Sequence, residues 1–401
     1  MDLPKSKIAV ERQVGVGTFH ATARMKELLH QVIDSGRLTS GPMMDRFERE
    51  IARLHDSRFA LMCNSGTSAL QIALAALKEM HGWDDGDEVL VPAVTFVATS
   101  NVVMYNGLKP VFVDVEPNYY MLDPGKIEAR ITKRTRAIIP VHLAGQPCDM
   151  GPIMDIAKRH NLRVVEDSCE TMFARYQGRP VGSFGDIGCF STYVAHVITT
   201  GVGGLCTTSS PELITMLKSL MNHGRDSIYI RIDDDRNPDH DIFEIADRRF
   251  SFVRLGHSFR CTELEAALGV AQLEVWEEQK IRRRAVADGL TRRLSDLDRH
   301  LQLPAIRPET EHVFMFYPLM IKNPAIARAD LIRHLEERGV ETRYLLPLIN
   351  QPIYRKLFGD LDQQYPVAAN LNRNAFYIGC HVDMTDEDVD YIGRTFHEFF
   401  D

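Results

Sequence analysis

One run of small polar residues, NSGTSAL at positions 64–70, lies between a predicted strand and a predicted helix. Free backbone N–H groups and the positive end of a helix dipole meet at such a turn, which suits a phosphate group. A turn rich in serine and threonine is also a good helix N-cap, so plain capping is the alternative interpretation.

A second run, VVEDSCE at positions 164–170, places Glu166, Asp167 and Glu170 at the carboxyl end of a predicted buried strand. Open α/β sheets place their ligands at this edge. A buried carboxylate there needs a cation or hydrogen-bond donors, and the protonated ring nitrogen of a pyridoxal cofactor would be such a cation. A structural ion pair is the alternative.

A third run, GCFSTYVAHVITTGVGG at positions 188–204, joins a strand to hydroxyl groups, one histidine and a glycine-rich turn. The hydroxyl and backbone N–H groups could bind phosphate, and His196 could carry a proton. A single histidine is more often a hydrogen-bonded structural residue, and that alternative stays open.

The elements that position these runs alternate between short β-branched strands and amphipathic helices from about residue 58 to 208. This alternation predicts a mostly parallel sheet covered by helices. The predicted strands are Arg58–Met62, Glu88–Val91, Lys109–Asp114, Thr135–Val141, Leu162–Glu166, Ile187–Ser191 and Gly204–Thr208, and the predicted helices are Ser68–Met80, Ala98–Asn106, Pro124–Ala129 and Met150–His160.

The second half of the chain is predicted to hold a long excursion, a linker helix and a smaller domain. Residues 226–249 are polar and aperiodic, which suggests a lid or an arm. A continuous helix begins at Thr262, and a strand at 312–321 with helices at 328–338 and 385–400 predicts a smaller α+β domain. We therefore expect a large domain over residues 1–270 and a linker helix with a small domain over residues 271–401.

Composition limits the classes of function. The chain has 401 residues, 44% of them hydrophobic, and a net charge of -8, so it has no general attraction for nucleic acid. No signal peptide or apolar segment of membrane-spanning length is evident, which predicts an unanchored cytoplasmic protein. Seven scattered cysteines, with no CxxC pair, indicate reduced thiols rather than disulfides or a metal site.

Taken in order, these runs resemble the DegT/DnrJ/EryC1/StrS family of fold-type I pyridoxal-phosphate enzymes, which mostly aminate keto sugars attached to nucleotides. The resemblance implies an aspartate-aminotransferase-like α/β fold. Besides the three runs, it rests on Leu38–Pro42, Gly86–Val89, Asp114-Val115, Val141–Pro147, Gly182–Asp186 and Glu263–Gly269.

Site roles follow from this resemblance. It implies that Asp167 pairs with the ring nitrogen of the cofactor and that Phe96 stacks on the ring. Ser258 and Arg260 fall in the family's YNxR motif, with serine in place of asparagine, and Val202 replaces a usual glutamate, which puts phosphate contacts from a partner subunit in doubt. The residues implied around the cofactor phosphate are Gly66, Thr67, Ser68 and Ser191.

The chain departs from the family where its aminotransferases carry the lysine that bonds the cofactor. His196 stands at that position, and no lysine occurs between Lys158 and Lys218. Histidine cannot hold the cofactor covalently, but it can still move a proton. The departure resembles the deoxysugar 3-dehydratase branch of the family, as do the EDxCE pattern ending at Glu170 and the GCH run at 379–381.

The predicted function is therefore removal of the C3 hydroxyl from a nucleotide-linked 4-keto-6-deoxy sugar, with non-covalent pyridoxal or pyridoxamine phosphate and His196, Asp167 and Glu170 as catalytic residues. A sugar-nucleotide aminotransferase and an inactive binding homologue are the alternatives. The resemblance also implies an amino donor such as glutamate and a homodimer. We expect no nucleic acid, no membrane, no metal and, because no cysteine lies between Cys206 and Cys261, no iron–sulfur cluster.

Overall fold

A computed structural model describes residues 12–226, Phe243 and 250–401. The predicted excursion at 226–249 therefore lies, apart from Asp226 and Phe243, outside the described residues. The helices are α1 (Ala23–Asp34), α2 (Pro42–Leu54), α3 (Gly66–His81), α4 (Val97–Tyr105), α5 (Met150–Arg159), α6 (Pro211–Met221), α7 (Glu263–Leu273), α8 (Trp276–Leu294), α9 (Arg328–Glu337), α10 (Pro352–Phe358), α11 (Pro366–Asn374) and α12 (Asp386–Phe400). The strands are β1 (Phe59–Cys63), β2 (Glu88–Pro92), β3 (Lys109–Val113), β4 (Thr135–Ile138), β5 (Arg163–Asp167), β6 (Arg175–Tyr176), β7 (Arg179–Pro180), β8 (Ile187–Ser191), β9 (Gly204–Thr208), β10 (Leu301–Gln302), β11 (Thr310–Glu311), β12 (Phe316–Ile321), β13 (Thr342–Tyr344) and β14 (Ala375–Gly379).

The central sheet has seven strands in the order β1-β9-β8-β5-β4-β2-β3. Neighbouring strands pair in parallel from β8 to β3, and β9 runs antiparallel to both β8 and β1. Helix α3 packs on this sheet through a fully buried apolar face. The mostly parallel α/β sheet predicted from the alternating pattern is confirmed, and its carboxyl edge carries the ends of β5 and β8.

A smaller antiparallel sheet has the order β10-β12-β14-β13. Its apolar face packs with one side of α8 and α12 into a second hydrophobic core, separate from the core of the large sheet and including Leu290, Phe376 and Phe396. The predicted boundary at residue 270 stays a prediction, since the order of elements is compatible with it but does not fix it.

Two helix predictions are wrong in detail. Residues 124–130 form two 3₁₀ turns rather than an α-helix, because Pro124-Gly125 gives a pre-set turn followed by a residue with low helix propensity. The helix from Thr262 is not continuous: α7 ends at Leu273, and α8 begins at Trp276 after Val275 leaves helical geometry. The predicted strand at 312–321 begins only at Phe316.

Candidate active site

The NSGTSAL turn caps the start of α3. Ser65 Oγ accepts a hydrogen bond from Ser68 N at 3.0 Å, and Ser68 Oγ donates to Asn64 Oδ1 at 2.6 Å. The capping interpretation is therefore confirmed. Because the first N–H groups of any helix lack intrahelical partners, those of Gly66 and Thr67 can still meet an anion, so capping and phosphate binding are compatible.

Gly66 brings the first run against the other two. A Cβ atom at Gly66 would lie 2.7 Å from both Cys169 Sγ and Ser191 Cβ, so no larger residue fits without a shift. The start of α3 is thus in direct contact with the residues that follow β5 and end β8. Three segments that are far apart in the sequence meet at one point of the sheet edge.

The two acidic residues at the end of β5 have different roles because neighbouring residues on a strand face opposite sides. Glu166 accepts hydrogen bonds from Gly182 N and Gly185 N at 2.7 Å and from His142 Nε2 at 3.1 Å. Cys148 N donates to His142 Nδ1, which leaves the ring proton on Nε2. Glu166 is therefore the structural carboxylate.

Asp167 is a buried carboxylate that accepts only from neutral donors. Thr99 Oγ1 donates to it at 2.7 Å and Cys169 N at 3.2 Å. Within the described ranges no lysine, arginine or histidine forms an ion pair with it, and burial raises its pKa. A buried carboxylate without a cation fits the protonated ring nitrogen of pyridoxal phosphate, which would supply the missing positive charge.

Thr99 was not identified from the sequence, and it ties Asp167 to the predicted ring-stacking residue. Phe96 is the N-cap of α4, and Thr99 follows three residues later on the same face of that helix. The Phe96 side chain is 58% exposed, which is unusual for a phenylalanine. An exposed ring here is available for stacking on a planar ligand.

Glu170 holds a proton at neutral pH. Ala144 N donates to Glu170 Oε2 at 3.0 Å. Burial raises the pKa of Glu170 to about 8; the Ala144 hydrogen bond opposes that rise and the charge of Asp167 adds to it. At pH 7 the side chain is mostly a neutral carboxylic acid, which can both accept and donate a hydrogen bond.

His196 lies in the loop after β8, half-buried and largely desolvated. Burial lowers its pKa to about 4, the nearby carbonyl of Ser191 opposes this, and the charge of Arg283 adds to it. Its Nδ1 atom is shielded from water and has no hydrogen-bond partner in the described part of the chain. The imidazole is therefore neutral at physiological pH, the form that accepts a proton.

His196 lies close to Ser191, which in turn lies against Gly66 near Asp167. The cavity that His196 faces is nevertheless a separate one. His196 lines this cavity of about 350 Å³ together with Phe19, Gln272 and Arg283. Neither Gly66 nor Asp167 lines that cavity. The region therefore has two parts: an anchoring part at the sheet edge and an adjoining cavity that contains the histidine.

Ser258 and Arg260 are exposed. Arg260 Nη2 donates to Ser258 Oγ at 3.2 Å, and Phe259 O between them accepts from Asn64 N at 2.8 Å. The backbone of this segment thus runs beside the NSGTSAL turn, the side chains of Ser258 and Arg260 are exposed, and that of Phe259 packs on the core. Their predicted role in phosphate binding stays a prediction.

The thiols are unpaired, as the sequence predicted: all seven cysteines are free, and all but Cys169 are buried. Over residues 12–226, 243 and 250–401, no group of histidine, cysteine and acidic side chains has the arrangement of a metal site. In the same ranges, no helix has the length and apolar composition needed to cross a bilayer.

Comparison with known proteins identifies the family. The profile of the DegT/DnrJ/EryC1/StrS aminotransferase family matches residues 20–397. GDP-perosamine synthase of Caulobacter vibrioides is 33% identical, over 98% of this chain and 97% of that protein. The dTDP-4-dehydro-2,6-dideoxy-D-glucose 3-dehydratase of Saccharopolyspora spinosa is 34% identical, over 90% of this chain and 81% of that protein.

A solved structure of a GDP-4-keto-6-deoxymannose-3-dehydratase variant with bound GDP-perosamine superposes with a TM-score of 0.86. It is 25% identical and covers 96% of this chain and 100% of its own. Both aminotransferases and dehydratases are therefore among the relatives. The chain belongs to the DegT/DnrJ/EryC1/StrS aminotransferase family of pyridoxal-phosphate-dependent enzymes that act on sugar nucleotides.

Proposed function

We propose that this enzyme removes the C3 hydroxyl of a nucleotide-linked 4-keto-6-deoxy sugar, using a cofactor that it binds without a covalent bond. The observation that carries the proposal is His196, a neutral, desolvated imidazole at the position where the family's aminotransferases have their lysine. A group that accepts a proton but offers no primary amine favours elimination over lysine-mediated amino transfer.

The anchoring part would hold the cofactor. Asp167 would pair with the ring nitrogen, Phe96 would stack on the ring, and the phosphate would meet Gly66, Thr67, Ser68 and Ser191. When bound, pyridoxamine phosphate supplies an amine for the 4-keto group and a ring that accepts electrons. Because Asp167 is fixed by Thr99 and Cys169, it would orient the ring nitrogen before the substrate arrives.

The protein's own part in the chemistry is proton transfer. His196 would take a proton from the carbon next to the bound amine and thereby release electrons toward C3. Glu170, protonated at pH 7, would be a neutral donor near Asp167 that does not compete for the positive ring nitrogen. His196 would pass the proton that it took to the departing C3 hydroxyl, which would leave as water. C3 would then take up a proton from solvent, and hydrolysis would restore the 4-keto group and release the nitrogen as ammonia.

Amino transfer with a non-covalent cofactor is a second candidate, favoured by the 33% identity to a GDP-perosamine synthase. Here His196 would return the proton and the nitrogen would stay on the sugar.

The homodimer, which the family resemblance implies, is supported by large exposed apolar side chains in the loops beside the site, namely Tyr193, Val194, Val202, Phe252, Val253 and Leu255. A cytoplasmic location remains a prediction.

Mass spectrometry of the products separates these candidates. The holoenzyme is incubated with glutamate and a panel of 4-keto-6-deoxy sugar nucleotides. We expect a keto sugar one oxygen atom lighter, together with free ammonia. An amino sugar would establish the second candidate instead, and unchanged sugars across a panel that other family members convert would indicate an inactive homologue.

A further inference from the structure

The cavity that contains His196 has its own cationic residue. Its walls come from residues 18–25, the His196 loop, the end of α7 and the start of α8. Arg283 on α8 lines this cavity although only 6% of the residue is exposed. Burying a guanidinium costs free energy unless its charge is paired. The contacts of Arg283 therefore show which of its hydrogen-bond donors lack a partner in the protein.

The contacts of Arg283 are incomplete. Its Nη1 donates to the carbonyls of Cys380 at 2.6 Å and Met315 at 3.1 Å, and more distantly to that of Phe314. Its Nε is buried without a partner, and no carboxylate of the described residues forms an ion pair with it. Burial lowers its pKa, but an arginine keeps its proton in proteins.

The two acidic residues of the cavity wall, Glu274 and Asp383, contact other side chains and not Arg283. Asp383 Oδ2 lies 3.1 Å from His20 Nε2, and Glu274 accepts from Arg24 Nε at 2.8 Å and Arg46 Nη2 at 2.9 Å. The charge of Asp383 acts on Arg283 only from a distance. No carboxylate of the cavity wall therefore contacts the guanidinium of Arg283, which lines the cavity together with the imidazole of His196.

We propose that this cavity binds the carboxylate of the amino donor, with Arg283 as the pairing cation. The inference rests on the proposed function only in requiring an amino donor, and it holds for dehydration and amino transfer alike. A planar guanidinium matches a carboxylate in two parallel hydrogen bonds. The volume, about 350 Å³, is at the small end of ligand sites, which favours an amino acid over a nucleotide sugar.

Gln279 offers a test that leaves the carbonyl contacts of Arg283 intact. It lines the cavity one helical turn before Arg283, at the i,i+4 spacing of helix ion pairs. Gln279→Glu changes no volume and supplies a competing carboxylate. We expect the affinity of the holoenzyme for glutarate, an unreactive dicarboxylate, to fall at least about tenfold in isothermal titration calorimetry.

Gln363→Glu is the matched control, because it makes the same chemical change at an exposed position outside this cavity. We expect it to bind glutarate as the unmodified enzyme does. Equal glutarate affinity in all three proteins overturns the proposal. It is also overturned if Gln279→Glu weakens the binding of inorganic diphosphate and not that of glutarate, since the cavity would then be assigned to the nucleotide. Because glutarate does not react, failure of the dehydration proposal would leave this result unaffected.

Discussion

The anchoring part and the His196 cavity differ in how far the protein satisfies its own polar groups. Around Gly66 and Asp167, hydroxyl and backbone donors already fix the turn and the carboxylate, and the unpartnered groups described there are the neutral hydroxyls of Ser100 and Ser168. In and beside the cavity, Nδ1 of His196, Nε of Arg283 and Nδ1 of His381 have no partner among the described residues. A pre-formed region suits a resident cofactor, whereas unmet donors and acceptors suit reactants that come and go.

The largest expected effect comes from a substitution in the cavity. His196→Gln removes the titrating imidazole and keeps a polar side chain, so we expect turnover to fall about 10²–10⁴-fold, the usual contribution of a general base. Affinity for the cofactor, measured by fluorescence titration, should stay within about threefold, since the anchors lie elsewhere. Turnover near that of the unmodified enzyme would contradict the assignment.

Asp167→Asn tests the anchoring part. The amide keeps the size and the hydrogen bond from Thr99 but cannot hold the ring nitrogen protonated, so turnover should fall about 10²–10³-fold. Thermal unfolding of the cofactor-free protein should change little, because burial already disfavours the charged form. A large loss of stability with normal turnover in the remaining folded protein would make Asp167 structural.

The pH profile sharpens the comparison, since His196 in the cavity and Glu170 near Asp167 both have pKa values shifted far from their ordinary ones. His196 acts as a base only above its pKa of about 4, and Glu170 is protonated only below about 8. Activity should therefore decline below pH 4 and above pH 8. Glu170→Gln cannot titrate, so its upper limb should disappear while the lower limb stays. An unchanged upper limb in this variant would assign that limb to another group.

The smallest expected effect concerns helix caps. Ser65→Ala and Ser210→Ala each remove an N-cap hydrogen bond, from α3 and α6 respectively. Both should lose about 1 kcal/mol of unfolding free energy in urea titrations. Only Ser65→Ala should also weaken cofactor binding, because only α3 begins at the anchoring part. Equal cofactor affinity in the two variants would show that the NSGTSAL turn does not bind the cofactor.

The sequence predicted the strands of the large sheet well because their β-branched runs are short and separated by turn residues. The opposite directions of Glu166 and Asp167 were also predictable from the two-residue period of a strand. Thr99 could have been found from its i+3 spacing to Phe96. These features depend on local geometry, which a sequence shows directly.

Other features depend on contacts between distant segments. Arg283 touches carbonyls 32 and 97 residues away, and no local pattern marks such a partner. The break between α7 and α8 falls within good helix-forming residues, and there tertiary packing overrides propensity. Helices α1 and α2 were not predicted from the N-terminal sequence, although they pack on α7.

The central claim is that position 196 moves a proton without tethering the cofactor, and borohydride trapping tests it most directly. The enzyme loaded with pyridoxal phosphate is reduced, denatured and digested, and every peptide that contains a lysine is weighed. We expect those peptides to be unmodified, whereas His196→Lys, as positive control, should carry the reduced cofactor at position 196. Stable cofactor on the unmodified enzyme's peptides would contradict the claim.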